Sequence, residues 1–220
     1  MRWELDNITE DELVQWIQAN VGEKANIHAR GYQGNVYLYR DKGYFLIIKV
    51  ASGSGALKWL RKWMLHNEHR VYKKLEDFDG APRCYGLIHG RYLVLEYIEG
   101  IPIRHAEISD RQAFFDRLLD FIKELHRRGV AHTDLKRQDN LMVVDKRTPC
   151  LIDFGVAIIR KPGFAPLNHY LYEIARKFDF NAWAKLKYQG RFENISDTDR
   201  VYYNRTRIEK VARWIKRKLH

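Results

Sequence analysis

The stretch His132-Thr133-Asp134-Leu135-Lys136, followed by Asn140 and then by Asp153-Phe154-Gly155, decides how this chain is read. Ahead of it, Ser109 is expected to cap a long helix over Asp110–Arg128, which Gly129 ends where a left-handed residue is favoured. Behind it, Leu141–Asp145 and Pro149–Asp153 read as a short hairpin around Lys146-Arg147-Thr148. Asp134 and Asn140 then sit in the loop between helix and strand, and Asp153 ends the second strand of the hairpin. Carboxylate and amide oxygens gathered at one edge suit magnesium holding a triphosphate, with a base facing a hydroxyl. The same residues, taken alone, could merely cap turns in a polar loop.

Working upstream, Lys49 lies inside the apolar run Phe45-Leu46-Ile47-Ile48-Lys49-Val50, where an unpaired ammonium is costly. The next segment, Ala56–Leu75, carries Leu57, Leu60, Met64, Val71 and Leu75 at helical spacing and brings Glu68 as an ion-pair partner. The blander alternative is a Lys49 that snorkels from an edge strand while Glu68 stays solvated. Earlier still, Gly31-Tyr32-Gln33-Gly34-Asn35-Val36 bridges two strands and would let backbone N–H groups approach phosphates closely. Any hairpin could use such a glycine pair, so alone it is a weak signal.

The remaining elements complete an α+β, two-lobed plan. Thr9-Glu10-Asp11-Glu12 reads as a capping box opening a short helix to about Asn20, with Leu13, Trp16 and Ile17 on one face. Strands are expected over Asn26–Arg30, Asn35–Tyr39 and Tyr44–Val50, the last two joined by Arg40-Asp41-Lys42-Gly43. Cys84–His89 and Arg91–Glu96 flank a turn at Gly90, and from about Leu167 the chain is helical and basic. The division is placed near residues 97–101: a β-rich lobe over 1–98 and a reduced helical lobe over 99–220.

Composition narrows the classes. With 45% apolar and 13% aromatic residues among 220, the chain can bury a core. Its net charge of +11 favours anionic partners without choosing among them. Cys84 and Cys150 are too few for a disulfide framework, so a reducing, cytoplasmic setting is expected. The longest purely apolar run, Tyr44–Ile48, is far short of a membrane span, and the acidic N-terminus has no signal-peptide core.

Taken in order, glycine loop, strand lysine, helix glutamate, hinge, H-x-D loop and D-F-G resemble the protein-kinase-like superfamily over roughly residues 25–160. The resemblance implies a kinase that uses ATP and Mg2+. Lys49 would hold the α/β-phosphates and pair with Glu68, Asp134 would accept the proton of the acceptor hydroxyl, and Asn140 with Asp153 would bind magnesium. Lys136 would neutralise the γ-phosphate, while Gly31, Gly34 and Val36 would cover the nucleotide. Leu95 resembles the gatekeeper, and the backbone of Glu96 and Ile98 resembles the adenine-binding hinge.

Departures from the family pattern bear on substrate. The first glycine of the loop falls on Ala29, the arginine of the catalytic loop on Thr133, and no A-P-E follows D-F-G. Asn140 stands six residues after Asp134, one more than usual, with Asp139 as the fallback ligand. Only 65 residues follow Gly155, so the helical platform that protein kinases use to dock peptides would be largely absent. This minimal plan resembles the bacterial lipopolysaccharide-core (heptose and Kdo) kinases, through Tyr85–Gly100 and Ala182-Trp183-Ala184-Lys185-Leu186-Lys187, and more distantly the RIO-type kinases. A glycolipid sugar hydroxyl is the leading acceptor, a protein serine or threonine the alternative, and a non-catalytic pseudokinase the third reading. A nucleic-acid partner is not expected, because it leaves Lys49 and D-F-G unexplained.

Other features read blandly. His66 and His69 lack a second pair at metal-ligand spacing, Trp59 and Trp63 read as packing residues, and Cys150 as an inert buried thiol. Over Arg205–His220, seven Lys/Arg and one acid alternate with Ile208, Val211, Ala212, Ile215 and Leu219. That pattern predicts a final amphipathic helix, whose basic face would dock on anionic membrane, at the inner face of the bilayer, or on glycolipid.

Overall fold

The computed structural model describes Leu5 and residues 8–20, 27–31 and 34–203. The expected helix over 205–220 and the tip of the glycine loop at 32–33 lie outside the described residues. The chain divides into two compact units, one of residues 1–99 with 152–156 and the other of 100–151 with 157–220. The D-F-G segment therefore groups with the N-terminal elements.

In the first unit, α1 (Glu10–Asn20) opens with the capping box: Thr9 N–H donates to Glu12 Oε2 (2.9 Å) and Glu12 N–H to Thr9 Oγ1 (3.2 Å). Strands β1 (Ile27–Gly31), β2 (Gly34–Asp41), β3 (Tyr44–Val50), β4 (Cys84–Ile88) and β5 (Tyr92–Glu96) form an antiparallel sheet in the order β1-β2-β3-β5-β4. The β2–β3 turn places Lys42 and Gly43 at φ +49° and +80°, the left-handed pair that a two-residue hairpin of matching twist requires. Strand alternation then sorts β3 into two faces. Leu46 and Ile48 join Leu13, Val14 and Ile17 of α1 in one core, with Tyr37, Tyr39 and Val94. Ile47 and Lys49 point the other way. Helix α2 (Gly55–Lys74) buries Met64, Leu65, Asn67, Glu68, Val71 and Tyr72.

The first turns of α2 depart from expectation. Leu57, Trp59, Leu60 and Trp63 are exposed, Trp59 to 71%, so the two tryptophans are not packing residues. The periodicity was that of an amphipathic helix, but nothing among the described residues covers its N-terminal half.

The second unit holds a small sheet of β6 (Ile101–Pro102), β8 (Leu141–Val144) and β9 (Thr148–Leu151), and a two-stranded pair of β7 (Val130–Ala131) with β10 (Ile158–Ile159). Helix α3 (Arg111–Arg127) is capped by Asp110, whose Oδ1 accepts from Ala113 N–H at 3.0 Å. The cap is thus Asp110 and not Ser109, whose own N–H donates to the Lys146 carbonyl. Two adjacent cap-forming residues left the choice to helix register. Gly129, at φ +74°, ends the helix as expected. Helix α4 (Pro166–Lys187) packs on α3, with the indole N–H of buried Trp183 donating to the Phe115 carbonyl (2.7 Å), and α5 (Asp197–Arg200) follows.

The second strand of the hairpin ends two residues before the expected Asp153. Strand β9 stops at Leu151, because Asp153 adopts φ +68°, which no extended strand allows.

Candidate active site

Cross-strand pairing in the first unit builds one face of the site from its register. Lys49 lies opposite Val36 and Leu93, and Ile47 lies opposite Leu38 and Leu95. Directly opposed residues share a face, so Val36, Leu95 and Lys49 sit on the same side of the sheet, away from α1. Gly31 pairs with Gly34 where β1 turns into β2. At the end of β5, Glu96 N–H donates to the Arg83 carbonyl and Glu96 Oε2 accepts from Arg83 N–H, both at 2.9 Å. Ile98 follows, half-buried.

Lys49 and Glu68 form a buried ion pair. Lys49 Nζ donates to Glu68 Oε1 at 2.7 Å, and Asp153 Oδ1 stands 3.8 Å from the same nitrogen. Glu68 is fully buried, and burial pushes its carboxyl pKa up against the pull of Lys49, with the charge of Asp153 adding to the rise. For Lys49, burial works against the charged form, but the attraction of Glu68 and Asp153 outweighs it and raises the ammonium pKa. Its charge is therefore secure.

Helix α2 also holds the D-F-G segment. Asn67 Nδ2 donates to the Gly155 carbonyl (3.1 Å), and the Phe154 ring, fully buried, meets Tyr72 edge-on at 5.4 Å between centroids. Phe154 N–H makes a longer contact, 3.4 Å, to Glu68 Oε1. Asn67 was not legible as a functional residue. A polar, uncharged side chain beside Glu68 on the buried side of the helix was the available signal.

In the second unit, Asn140 Nδ2 donates to the Asp134 carbonyl at 3.1 Å and to Asp134 Oδ2 at 3.2 Å. Both bonds leave through the amide nitrogen, which directs the amide oxygen Oδ1 toward other partners. Asp139, the fallback, instead meets Arg104 at 2.8 Å. Lys136 Nζ lies 5.9 Å from the ring centre of Phe178.

The loop itself is pinned by a residue the sequence reading missed. Asp179, fully buried on α4, accepts from His132 N–H (2.8 Å, Oδ2) and Thr133 N–H (2.7 Å, Oδ1). His126 Nε2 reaches the same carboxylate at 3.0 Å. These bonds hold Thr133 at φ +71°, an uncommon conformation for a β-branched residue. An acid placed between Phe178 and Phe180 on a packed helix was the sign to read.

The donors suit the groups implied by the sequence. Asn140 and Asp153 offer hard oxygens, which magnesium prefers, and Lys49 offers a charged donor for phosphate oxygens. Among the described residues no group of three His, Cys, Asp or Glu forms a metal cage.

Comparison with known proteins fits this frame. The Rio2 kinase of Chaetomium thermophilum superposes with a TM-score of 0.61 over 90% of this chain and 69% of its own, at 16% identity. The chain thus has a protein-kinase-like α+β fold, β-rich in its N-terminal part and helical in its C-terminal part. In sequence it is similar to the "Probable serine/threonine-protein kinase fnkB" of Dictyostelium discoideum, 26% identical over 170 residues, or 71% of this chain and 28% of that one. It is also 29% identical to Aurora kinase B of Xenopus tropicalis over 147 residues, or 59% of this chain and 39% of that one. The chain is protein-kinase-like in fold and in sequence, and it spans well under half of these relatives. No protein-family model matches it. No described helix is long and apolar enough to cross a membrane.

Proposed function

We propose that this chain is an ATP- and magnesium-dependent phosphotransferase acting on a hydroxyl group. The observation that carries the reading is Lys49, held at 2.7 Å by a fully buried glutamate with the D-F-G aspartate 3.8 Å away. A buried lysine with two acids is a poor device for stability alone, since desolvation offsets much of the attraction. It is a good device for keeping an ammonium fixed for phosphate oxygens.

In this reading Lys49 binds and orients the α/β-phosphates, and Val36, Leu95 and the backbone of Glu96 and Ile98 receive the base. Gly31 and Gly34 flank the phosphate loop. Asn140 Oδ1 and the Asp153 carboxylate take magnesium, while Lys136 offsets γ-phosphate charge. ATP, when bound, supplies the phosphoryl group. Asp134, oriented by the Asn140 amide, accepts the hydroxyl proton of the acceptor. Catalysis is then positioning and charge neutralisation.

For the acceptor, the names of the sequence relatives support a protein serine or threonine hydroxyl. A lipopolysaccharide-core sugar hydroxyl remains the second reading, favoured by the short passage from Gly155 to the start of α4 at Pro166. The test incubates the chain with γ-labelled ATP and offers protein substrates, core lipopolysaccharide or no acceptor. Label entering protein supports the first acceptor, label entering glycolipid the second, and no label defeats the phosphotransfer reading. Asp134→Asn should abolish transfer and leave ATP binding nearly unchanged.

A further inference from the structure

The segment from Arg160 to Leu171 joins β10 to the first turns of α4, and it displays more apolar surface than a loop needs. Phe164 is 96% exposed, Leu167 71%, Tyr170 65% and Leu171 44%. On α4, Tyr170 lies opposite the buried Tyr172, Ala175 and Asp179, and Leu167 and Leu171 step from there to the edge of the buried face, so turning the helix to hide Tyr170 and Leu167 would expose its core.

The presentation is built. Lys161 N–H donates to Asn168 Oδ1 (2.7 Å), and Asn168 Nδ2 donates to the Ile159 carbonyl (3.1 Å). His169 Nε2 reaches the Lys161 carbonyl at 2.9 Å. Three bonds thus tie the start of the loop, at Ile159 and Lys161, to the first turn of α4, and Gly163 at φ +68° turns the chain so that Phe164 stands at the tip. Arg160 and Lys161 are exposed beside it, and no acid occurs from Phe154 to Tyr172.

We propose that this tip docks the protein on an anionic lipid bilayer surface. Phe164 and Leu167 enter the headgroup–acyl boundary, Tyr170 sits at that boundary, and Arg160 and Lys161 meet the lipid phosphates. A convex tip with one nearly fully exposed phenylalanine suits a deformable phase that closes around it. The flanking cations and the +11 net charge favour an anionic surface. The inference goes beyond phosphotransfer and does not depend on it.

Flotation of the full chain, without nucleotide, on phosphatidylcholine vesicles with and without phosphatidylglycerol tests it. Binding should require the anionic lipid. Phe164→Ser with Leu167→Ser should weaken it about tenfold or more at an unchanged melting temperature, since neither side chain supports the core. Arg160→Gln with Lys161→Gln should also weaken binding and reduce its salt dependence. Equal binding by wild type and the double serine variant would overturn the proposal, as would absence of binding to either vesicle. A wild-type dimer in light scattering that the serine variant dissociates, without a change in vesicle binding, would assign the face to a second copy of the chain instead.

Discussion

Two carboxylates, one in each unit, are equally buried and serve opposite ends. Glu68 and Asp179 are both fully inaccessible. Asp179 spends its oxygens on two backbone N–H groups and a histidine, donors that cannot leave without unfolding the loop. Glu68 takes its one short bond from a lysine side chain, with Phe154 N–H at a longer 3.4 Å, and its Oε2 has no hydrogen-bond partner among the described residues. A carboxylate bonded to backbone fixes a shape. A carboxylate bonded to a side chain fixes a charge, and leaves that side chain able to adjust to a ligand.

The contrast predicts different damage. Asp179→Ala should strand two backbone donors and cost roughly 3–5 kcal/mol, a large share of the stability of an ordinary domain. A urea midpoint far below wild type is the expected result. A change under about 1 kcal/mol would mean that the loop holds its own conformation.

Glu68→Gln should do the reverse, costing about 1–2 kcal/mol of stability because Asp153 still faces Lys49. Losing a charge-assisted bond of about 1.5–3 kcal/mol should instead lower nucleotide affinity or turnover roughly tenfold to a hundredfold. ATP titration and steady-state rates on the same preparation separate the two effects. A variant that melts like the Asp179 one yet keeps its turnover would erase the distinction.

The smallest effect concerns alkali, and each unit holds a group that burial makes sensitive to it. Burial pushes the Cys84 thiol in the first unit from 9.0 up to about 12, and the Tyr172 hydroxyl in the second from 10.0 up to about 12. Ionisation thus begins first in the unfolded chain. The unfolded state then binds fewer protons, and stability falls as pH rises from about 9 to about 12. Tyr172 donates to the His126 carbonyl at 2.7 Å, so Tyr172→Phe should cost about 1 kcal/mol at neutral pH and flatten the part of the decline above pH 10. Denaturant melts across that range measure both.

Local chemistry was legible in the sequence wherever a few neighbouring residues decide it. Thr9 with Glu12, Lys42-Gly43 and Gly129 all lie where turn and cap chemistry placed them. Lys49 was legible as a partner for Glu68 because an apolar strand makes an unpaired ammonium expensive. Harder to read were features imposed by distant groups. The left-handed Asp153 that shortens β9 reflects its surroundings beyond the hairpin. The roles of Asp179 and Asn67 arise from chain segments dozens of residues away, and periodicity carries no record of them. Trp59 and Trp63 show the converse, since an amphipathic pattern says which face is apolar and nothing of what covers it.

The chain has only two cysteines, and both are buried. With the Cys84 proton held until about 12, its sulfur offers almost no thiolate to maleimides or iodoacetamides at the pH where such reagents are used. With Cys150 buried as well, the folded protein should label only slowly at its natural thiols. A single cysteine introduced at any exposed position would become its one fast-reacting handle, ready for a fluorophore or spin probe without first stripping the natural thiols from the core.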